Sequence, residues 1–318
     1  MTTTDTTAIA EILEVPAKKK RASKLSKLAP KAPTPPAPLT MAEAKASLRL
    51  LVCTYEDARE MSKKSKQRAG DYHDKETGEL IRKNAMPEES KLALRDMADV
   101  FDKKADSLEA HMRRLLKHFP IYEVFLSRVR GVGIVTAAKL LADLDIHRAE
   151  KVSALQRVCG LAVWVNEDGQ GKAQRARAGE KLDFHARLKV GLFQAFSALQ
   201  KDAKRNESPY FRRLVEYKHR LQTGGRYDEA TNTFDGRKGG KAIVHNMAWR
   251  PAAQLLIEHL YIVWRTLEGL PVWPSYEAVK LGYGHGGKVV VNAPKMLTID
   301  EALAVVGMAP VAADAAAE

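Results

Sequence analysis

The sequence predicts a mainly α protein, in which a long helical hairpin or coiled-coil arm precedes a compact helical domain. Two observations support this fold class: apolar residues recur at helical spacing over long stretches, and the segments that could form strands are short. The chain has 318 residues, of which 45% are hydrophobic, so it is long enough to bury one substantial core and a smaller accessory element. We therefore expect one or two ordered domains.

The region 41–119 is predicted to hold two long amphipathic helices. Their apolar residues, spaced three or four positions apart, form two stripes: Met41, Ala44, Leu48, Leu51, Tyr55 and Ala58, then Met97, Phe101, Ala105, Leu108, Met112 and Leu115. A polar stretch from Gly70 to Pro87 separates the helices, and Pro120 ends the second one. Packed on each other they would form an antiparallel hairpin, and packed on a second copy they would form a homodimeric coiled coil.

Residues 1–40 have the composition of a disordered arm. The basic run Lys18 to Arg21 is followed by closely spaced prolines, and such a segment buries too little apolar surface to order itself. The arm is either a phosphate-seeking element or a solvated tail. The pattern of a secretory leader is missing from residues 1–14, and no apolar run is long enough to cross a membrane, so a cytoplasmic protein without a membrane partner is expected.

The remaining residues are predicted to form a domain at 120–290, followed by a short helix and an Ala-rich tail at 291–318. Helices are expected at about 184–204, 210–221 and 241–267. A capping box of Thr298 and Glu301 predicts the start of the terminal helix. The Gly-rich stretch 223–240 is expected to be a loop, and 162–166 and 288–292 could form at most a minor sheet.

The charge balance indicates a polyanionic partner. Lys and Arg number 52 against 39 Asp and Glu, a formal net charge of +13. DNA is the expected partner, and RNA is an alternative that the same charge would accept. Cys53 and Cys159 are far apart and are the only cysteines, which excludes a Cys-based zinc knuckle and argues against a disulfide framework.

The segment Phe125 to Leu144, FLSRVRGVGIVTAAKLLADL, has the pattern of a helix-hairpin-helix motif. Gly131 and Gly133 would let the turn bring its backbone N–H groups close to a phosphate, while a second helix from about Val135 adds the positive end of its dipole. Val132 would fill the space between the helices. A tight packing turn is the alternative interpretation of the same glycines.

The candidate DNA-contacting residues belong to three groups. The hairpin group is Arg128, Arg130, Gly131, Val132, Gly133, Thr136 and Lys139. The downstream basic group is Lys172, Arg175, Arg177, Lys181, Arg187 and Lys189, and the third group is His245 and Arg250. Contacts of this kind fix a protein on the phosphate backbone without reading the base sequence.

Acidic residues give no comparable pattern. Glu167 and Asp168 stand next to each other in a turn-rich stretch, and His185 or His245 would be needed to complete a metal site. Adjacent acids in a turn are usually solvated turn formers, so no metal site is predicted. Mg²⁺ would be required only by a catalytically active protein.

The order of these motifs resembles the C-terminal transposase domain of the insertion-sequence family numbered one hundred and ten. That domain has a glycine hairpin, a Thr-Ala then Leu-Leu-Ala helix, and a Gly-Leu element further on. The matching residues are Gly131, Gly133, Thr136, Ala137, Leu140, Leu141, Ala142, Gly160 and Leu161. The stretch His245 to Arg250 is similar to an HN-A-R helix of divergent members. The resemblance covers roughly residues 120–285 and implies a DNA-binding transposase of a bacterial mobile element, acting in the cytoplasm on nucleoid DNA.

Arg130 replaces the usual proline of the family's hairpin, and two further departures from the family pattern bear on function. The family couples this domain to a RuvC-like nuclease domain with four metal-binding acids, and residues 1–119 show no such pattern. The family's nucleophilic serine precedes a glycine, and Asp168 occupies that position here. A carboxylate does not replace a serine hydroxyl as the nucleophile. The resemblance thus leaves enzymatic activity open, and the alternative is a catalytically inactive architectural or regulatory DNA-binding protein derived from a transposase.

Overall fold

The structure, a computed structural model, describes residues 39–70, 84–162, 181–274 and 294–310, together with residue 179 and the backbone of four strand segments at 72–73, 80–82, 164–165 and 171–172. Most of the described backbone is helical and the sheets are small, so the predicted fold class is confirmed. The helices are α1 (Met41–Ala69), α2 (Glu88–Leu116), α3 (Pro120–Val124), α4 (Ile134–Asp143), α5 (Val152–Val158), α6 (Ala186–Lys201), α7 (Pro209–Thr223), α8 (Gly240–Leu267) and α9 (Ile299–Val305).

The two long helices form an antiparallel hairpin. Each of α1 and α2 has 29 residues, and a capping box between Thr40 and Glu43 starts α1. The strands β1 (Tyr72–His73) and β2 (Leu80–Arg82) pair antiparallel between the two helices. Of the two arrangements that the sequence allowed, the described chain shows the intramolecular hairpin, and a dimeric coiled coil stays a prediction.

The buried stripe of α2 is offset from the predicted one. Met97 was expected to face the core, yet 48% of its surface is exposed, and Ala98 is buried instead. Further along, Ala105, Leu108 and Met112 are buried as predicted. The predicted stripe averages 3.6 residues per step, whereas the fully buried positions Ala98, Ala105 and Met112 repeat every seven residues, the spacing of two helices that pack along their length.

The segment expected to be a helix-hairpin-helix has a shorter first half than predicted. The helix α3 ends at Val124, where Phe125 leaves helical geometry with φ −129° and ψ −64°, and a single turn of 3₁₀ helix follows at Leu126–Arg128. After the turn at 129–133, α4 begins at Ile134, one residue before the predicted start. A regular helix-hairpin-helix is therefore not confirmed, although the glycine turn and the second helix are present.

The stretch 223–240 is more ordered than a loop. It contains a three-stranded antiparallel sheet of β5 (Tyr227–Asp228), β6 (Thr233–Phe234) and β7 (Arg237–Lys238), so the loop prediction is wrong here. Asn232 and Asp235 adopt positive φ in its turns, and Phe234 of β6 is fully buried. Upstream, β3 (Trp164–Val165) pairs with β4 (Gly171–Lys172). Of the two strands, β3 lies in the range 162–166, where a minor sheet was expected. The segment 288–292 lies outside the described residues.

The core lies around α4 and α8. Every residue of α4 from Thr136 to Ala142 is buried, and α8 buries most of its length. The helices α1, α2 and α6 pack on α4, while α5, α7 and α9 pack on α8. Thr298 and Glu301 form the predicted capping box at the start of α9. Residues from Thr40 onward group into one compact unit, and the domain boundaries expected at 119/120 and 290/291 stay predictions.

A partly buried charge network joins α1, α4 and α6. Lys139 of α4 and Arg187 of α6 each lie 2.8 Å from a different carboxylate oxygen of Glu56 on α1. The Lys139 side chain is 5% exposed, and the Glu56 side chain is 34% exposed. Arg49 of α1 also pairs with the buried Asp143 at 3.2 Å. These contacts attach the helical hairpin to the rest of the fold.

Two further expectations from composition can be compared with the structure. In the described part of the chain, no helix is long and apolar enough to span a membrane. Cys159 is buried, and this burial raises the pKa of its thiol, while Cys53 is half-buried, and both thiols are free.

We expect the substitution Glu56→Gln to lower the free energy of unfolding by about 2 kcal/mol, because it leaves the buried Lys139 without its carboxylate. Adding Lys139→Met to this variant should restore part of the loss. The matched control is Glu60→Gln on the same helix, whose pair with Lys64 is exposed on both sides. Urea unfolding of the variants measures the effect, and equal stability of the Glu56 and Glu60 variants would contradict it.

Candidate nucleic-acid interface

The first glycine of the turn packs against α6. Gly131 has φ +85°, and a Cβ added to it would lie 2.7 Å from the carbonyl oxygen of Ala195 and 2.8 Å from Cβ of Leu199. Both distances are shorter than van der Waals contact allows, so only glycine fits this position. At Gly131 the structure therefore supports the packing interpretation of the turn.

The second glycine faces open space. Gly133 is exposed, has φ −83° and ψ 175°, and a Cβ added to it would meet nothing within 4 Å. It is the N-cap of α4, and no side chain caps the helix there. The first N–H groups of a helix have no partner within the helix, so this end of α4 presents donors next to an accessible backbone. Between the glycines, Val132 is half-buried and packs on the core.

The two arginines before the turn already have partners. Arg130 donates to Glu207 at 2.8 Å and lies 3.6 Å from Asp202, both between α6 and α7. Arg128 donates to the carbonyl oxygen of Ala309 at 2.7 Å, in the segment that follows α9. Arg128 is exposed and Arg130 is more than a third exposed, so both side chains remain accessible to solvent beside the turn.

Other residues of the hairpin group point into the fold. Thr136 is 9% exposed, and Lys139 is 4% exposed and paired with Glu56. Arg187 of the downstream group belongs to the same ionic network. Lys139 and Arg187 thus link α4 to α1 and α6 through Glu56 and Asp143.

The downstream basic group is only partly described. Arg175 and Arg177 lie outside the described residues, and only the backbone of Lys172 is described, in β4. Lys181 is exposed. Lys189 is half-buried, and its Nζ lies 4.5 Å from the centre of the Phe184 ring. The residue predicted at the serine position, Asp168, also lies outside the described residues.

Arg250 and His245 lie on α8. Arg250 donates to the carbonyl oxygens of Leu161 and Ala162, each at 3.1 Å, and so fixes the backbone just before β3. Burial lowers the pKa of Arg250 below its ordinary value. His245 is half-buried, and its Nδ1 is buried without a hydrogen-bond partner among the described residues. Within that part of the chain, no three His, Cys, Asp or Glu side chains cluster as a metal site would require.

Sequence reasoning missed two residues beside His245. The Phe193 ring on α6 lies 6.0 Å from the His245 ring and 5.7 Å from the Trp249 ring. Lys218 on α7 is close enough for its charge to lower the pKa of His245, after the larger effect of burial. Their only signals in the sequence were an aromatic residue and a lysine in amphipathic helices, and these patterns do not show which helices meet.

Residues 124–210 match the family model described as Transposase IS116/IS110/IS902 family. The matched segment starts at the end of α3 and runs through the glycine turn, α4, α5 and α6 to the first residues of α7. Residues 124–210 are therefore similar to the transposase domain of the IS110 family, as the resemblance implied, whereas residues 211–285, which the resemblance also covered, lie outside the match. Neither the curated proteins nor the solved structures include a match to this chain.

We expect Gly131→Ala to lower the free energy of unfolding by about 2 kcal/mol or more, because it combines strain at positive φ with a clash against α6. The matched control is Gly225→Ala. Gly225 has φ +72°, but a Cβ there would meet nothing within 4 Å, so its variant reports the conformational strain alone. Thermal or urea unfolding of both variants gives the comparison, and an equal loss at the two positions would show that the contact with α6 is unimportant.

Proposed function

We propose that this transposase-like protein of a mobile element binds the sugar-phosphate backbone of DNA at the turn 129–133 and the start of α4. The observation that carries the proposal is the exposed Gly133, which stands at the uncapped start of α4 inside the segment that matches the transposase family. Backbone N–H groups and the positive end of the helix dipole favour a phosphate at such a position. Because Gly133 has no side chain, the phosphate can approach the backbone closely.

Arg128 and Arg130 supply the charge in this proposal. Both lie beside the turn, and their present partners are two carbonyl oxygens for Arg128 and two surface carboxylates for Arg130. Exposed ion pairs of this kind contribute only about 0–1 kcal/mol, so exchange of a carboxylate for a phosphate costs little. Glu207 and Asp202 thus hold Arg130 at the mouth of the turn while DNA is absent.

The other candidate residues take different parts. Lys139 and Arg187 keep α4 in place and Thr136 is buried within it, whereas Lys181, with Lys172, Arg175 and Arg177, would extend the phosphate track. Binding of this kind positions the protein on DNA and reads no base sequence. We place the protein in the cytoplasm, on the DNA of the nucleoid. A homodimer through 41–119, an RNA partner and a Mg²⁺ requirement stay predictions.

The substitution Gly133→Asp should have opposite consequences for folding and for DNA binding. Asp is a good N-cap residue, so we expect unchanged or slightly higher stability. Its negative charge would stand where the phosphate binds, so duplex affinity should fall about five- to tenfold. Unfolding curves and fluorescence anisotropy with a labelled duplex measure the two effects.

The control for this experiment is Thr40→Asp, which puts the same charge at the N-cap of α1, where a side-chain cap is already present. It should leave the affinity for duplex unchanged. If Gly133→Asp binds duplex DNA as well as the wild-type protein does, the turn is not the phosphate-binding site.

Arg130→Gln should reduce the salt dependence of duplex binding. Each phosphate that a side chain neutralises contributes about −0.9 to the slope of log affinity against log salt concentration, so the slope should become shallower by about that amount. Lys104→Gln removes one charge from an exposed position on α2 and serves as the control. A salt response that is flat in the wild-type protein, or identical in the two variants, would contradict phosphate binding by Arg130.

A further inference from the structure

A surface beside α6 and α8 brings together cations from three helices. We call it the α6–α8 groove and define it by Lys189 and Phe193 of α6, His245 and Arg250 of α8, and Lys218 of α7. Lys189 and Arg250 are close neighbours at one end, and Lys218 and His245 are close neighbours at the other. Phe193 contacts His245 between them. Lys218 Nζ lies 3.5 Å from Gln200 Oε1, so the groove follows α6 for roughly three turns, or 16 Å.

The cations of the groove are not neutralised by the fold. Among the described residues, no carboxylate forms an ion pair with Lys189, Lys218 or Arg250. Burial lowers the pKa of Lys189, and the neighbouring charge of Arg250 lowers it further. Burial also lowers the pKa of Lys218. Like charges that are partly desolvated next to each other cost free energy, and a bound anion would remove that cost.

Phe193 adds an aromatic surface in the middle of these charges. Its ring meets the Trp249 ring edge-on at an interplanar angle of 73°, and Trp249 is itself buried. Phe193 nevertheless keeps 36% of its surface exposed, and its neighbour Val190 is 51% exposed. Arg250 is held by backbone carbonyls, which fix its position and leave its charge intact. The fold therefore holds Arg250 and Phe193 in position.

We propose that the α6–α8 groove binds a short single-stranded segment of DNA, with a base stacked on Phe193 and phosphates beside Lys189, Lys218 and Arg250. This proposal rests on the proposed function in that it takes DNA to be the polyanion, but it concerns a different surface from the turn 129–133. Positively charged grooves with exposed aromatic side chains are the usual means of binding single strands. A base in a duplex is already stacked on its neighbours, so Phe193 favours an unpaired strand.

The test uses the full chain and two probes, a fluorescein-labelled oligothymidylate and a labelled duplex hairpin. Phe193→Leu keeps an apolar side chain against Trp249 but removes the stacking face, so affinity for oligothymidylate should fall roughly tenfold, with little change in salt slope. Phe193→Trp should retain the affinity. Lys218→Gln should make the salt slope for the single strand shallower by about 0.7. Lys104→Gln on α2 is the matched control for charge.

The duplex probe distinguishes this site from the turn. The variants of the groove should bind the duplex as the wild-type protein does. Gly133→Asp should weaken duplex binding and leave the affinity for oligothymidylate unchanged. If Phe193→Leu and Lys218→Gln bind oligothymidylate like the wild-type protein, the groove is not a single-strand site, whatever the turn does. An equal loss for both probes would overturn the preference for single strands. Circular dichroism confirms that each variant is folded.

Discussion

The packing of the Gly131 backbone against α6 is the contact on which the rest of the arrangement depends. It sets the turn 129–133 directly on a helix that also contacts α4 and α8. Gly191 of α6 faces the Lys139 side chain, and Phe196 of α6 faces Trp249 of α8. A side chain at residue 131 would therefore push α6 away from the turn and disturb its contacts with two other helices.

The positive charges of the chain fall into two physically different groups. Lys139 and Arg187 form ion pairs with Glu56 and Asp143, and these pairs attach α1 and α6 to α4. The cations of the α6–α8 groove have no such acidic partners among the described residues. The net charge of +13 alone does not separate the two groups, because it counts both equally. What separates them is whether folding brings a carboxylate into contact.

Sequence patterns predicted the features that depend on local interactions. Helical periodicity located the main helices, and the spacing of Thr298 and Glu301 located the capping box of α9. The pair Asp235-Gly236 is typical of a tight turn between two strands, and it connects β6 to β7. This local pattern could have predicted the hairpin. The positions of Lys139 and Gly131 could not be predicted in this way. Their partners, Glu56 and α6, are far away in the sequence, and only the tertiary fold brings them together.

The geometry of α6 also bears on how the two proposed DNA contacts relate. Gly131 meets the carbonyl oxygen of Ala195 and Cβ of Leu199, and Leu199 is six residues from Phe193, so the two side chains leave α6 about 120° apart. The turn and the groove therefore approach α6 from different sides, and a single phosphate would not contact both. Sites that share no ligand group and no side chain contribute almost independently to binding. A strand that leaves a duplex at the turn would have to pass around an end of α6 to reach Phe193. The groove could therefore bind only DNA whose bases are already unpaired where it meets Phe193.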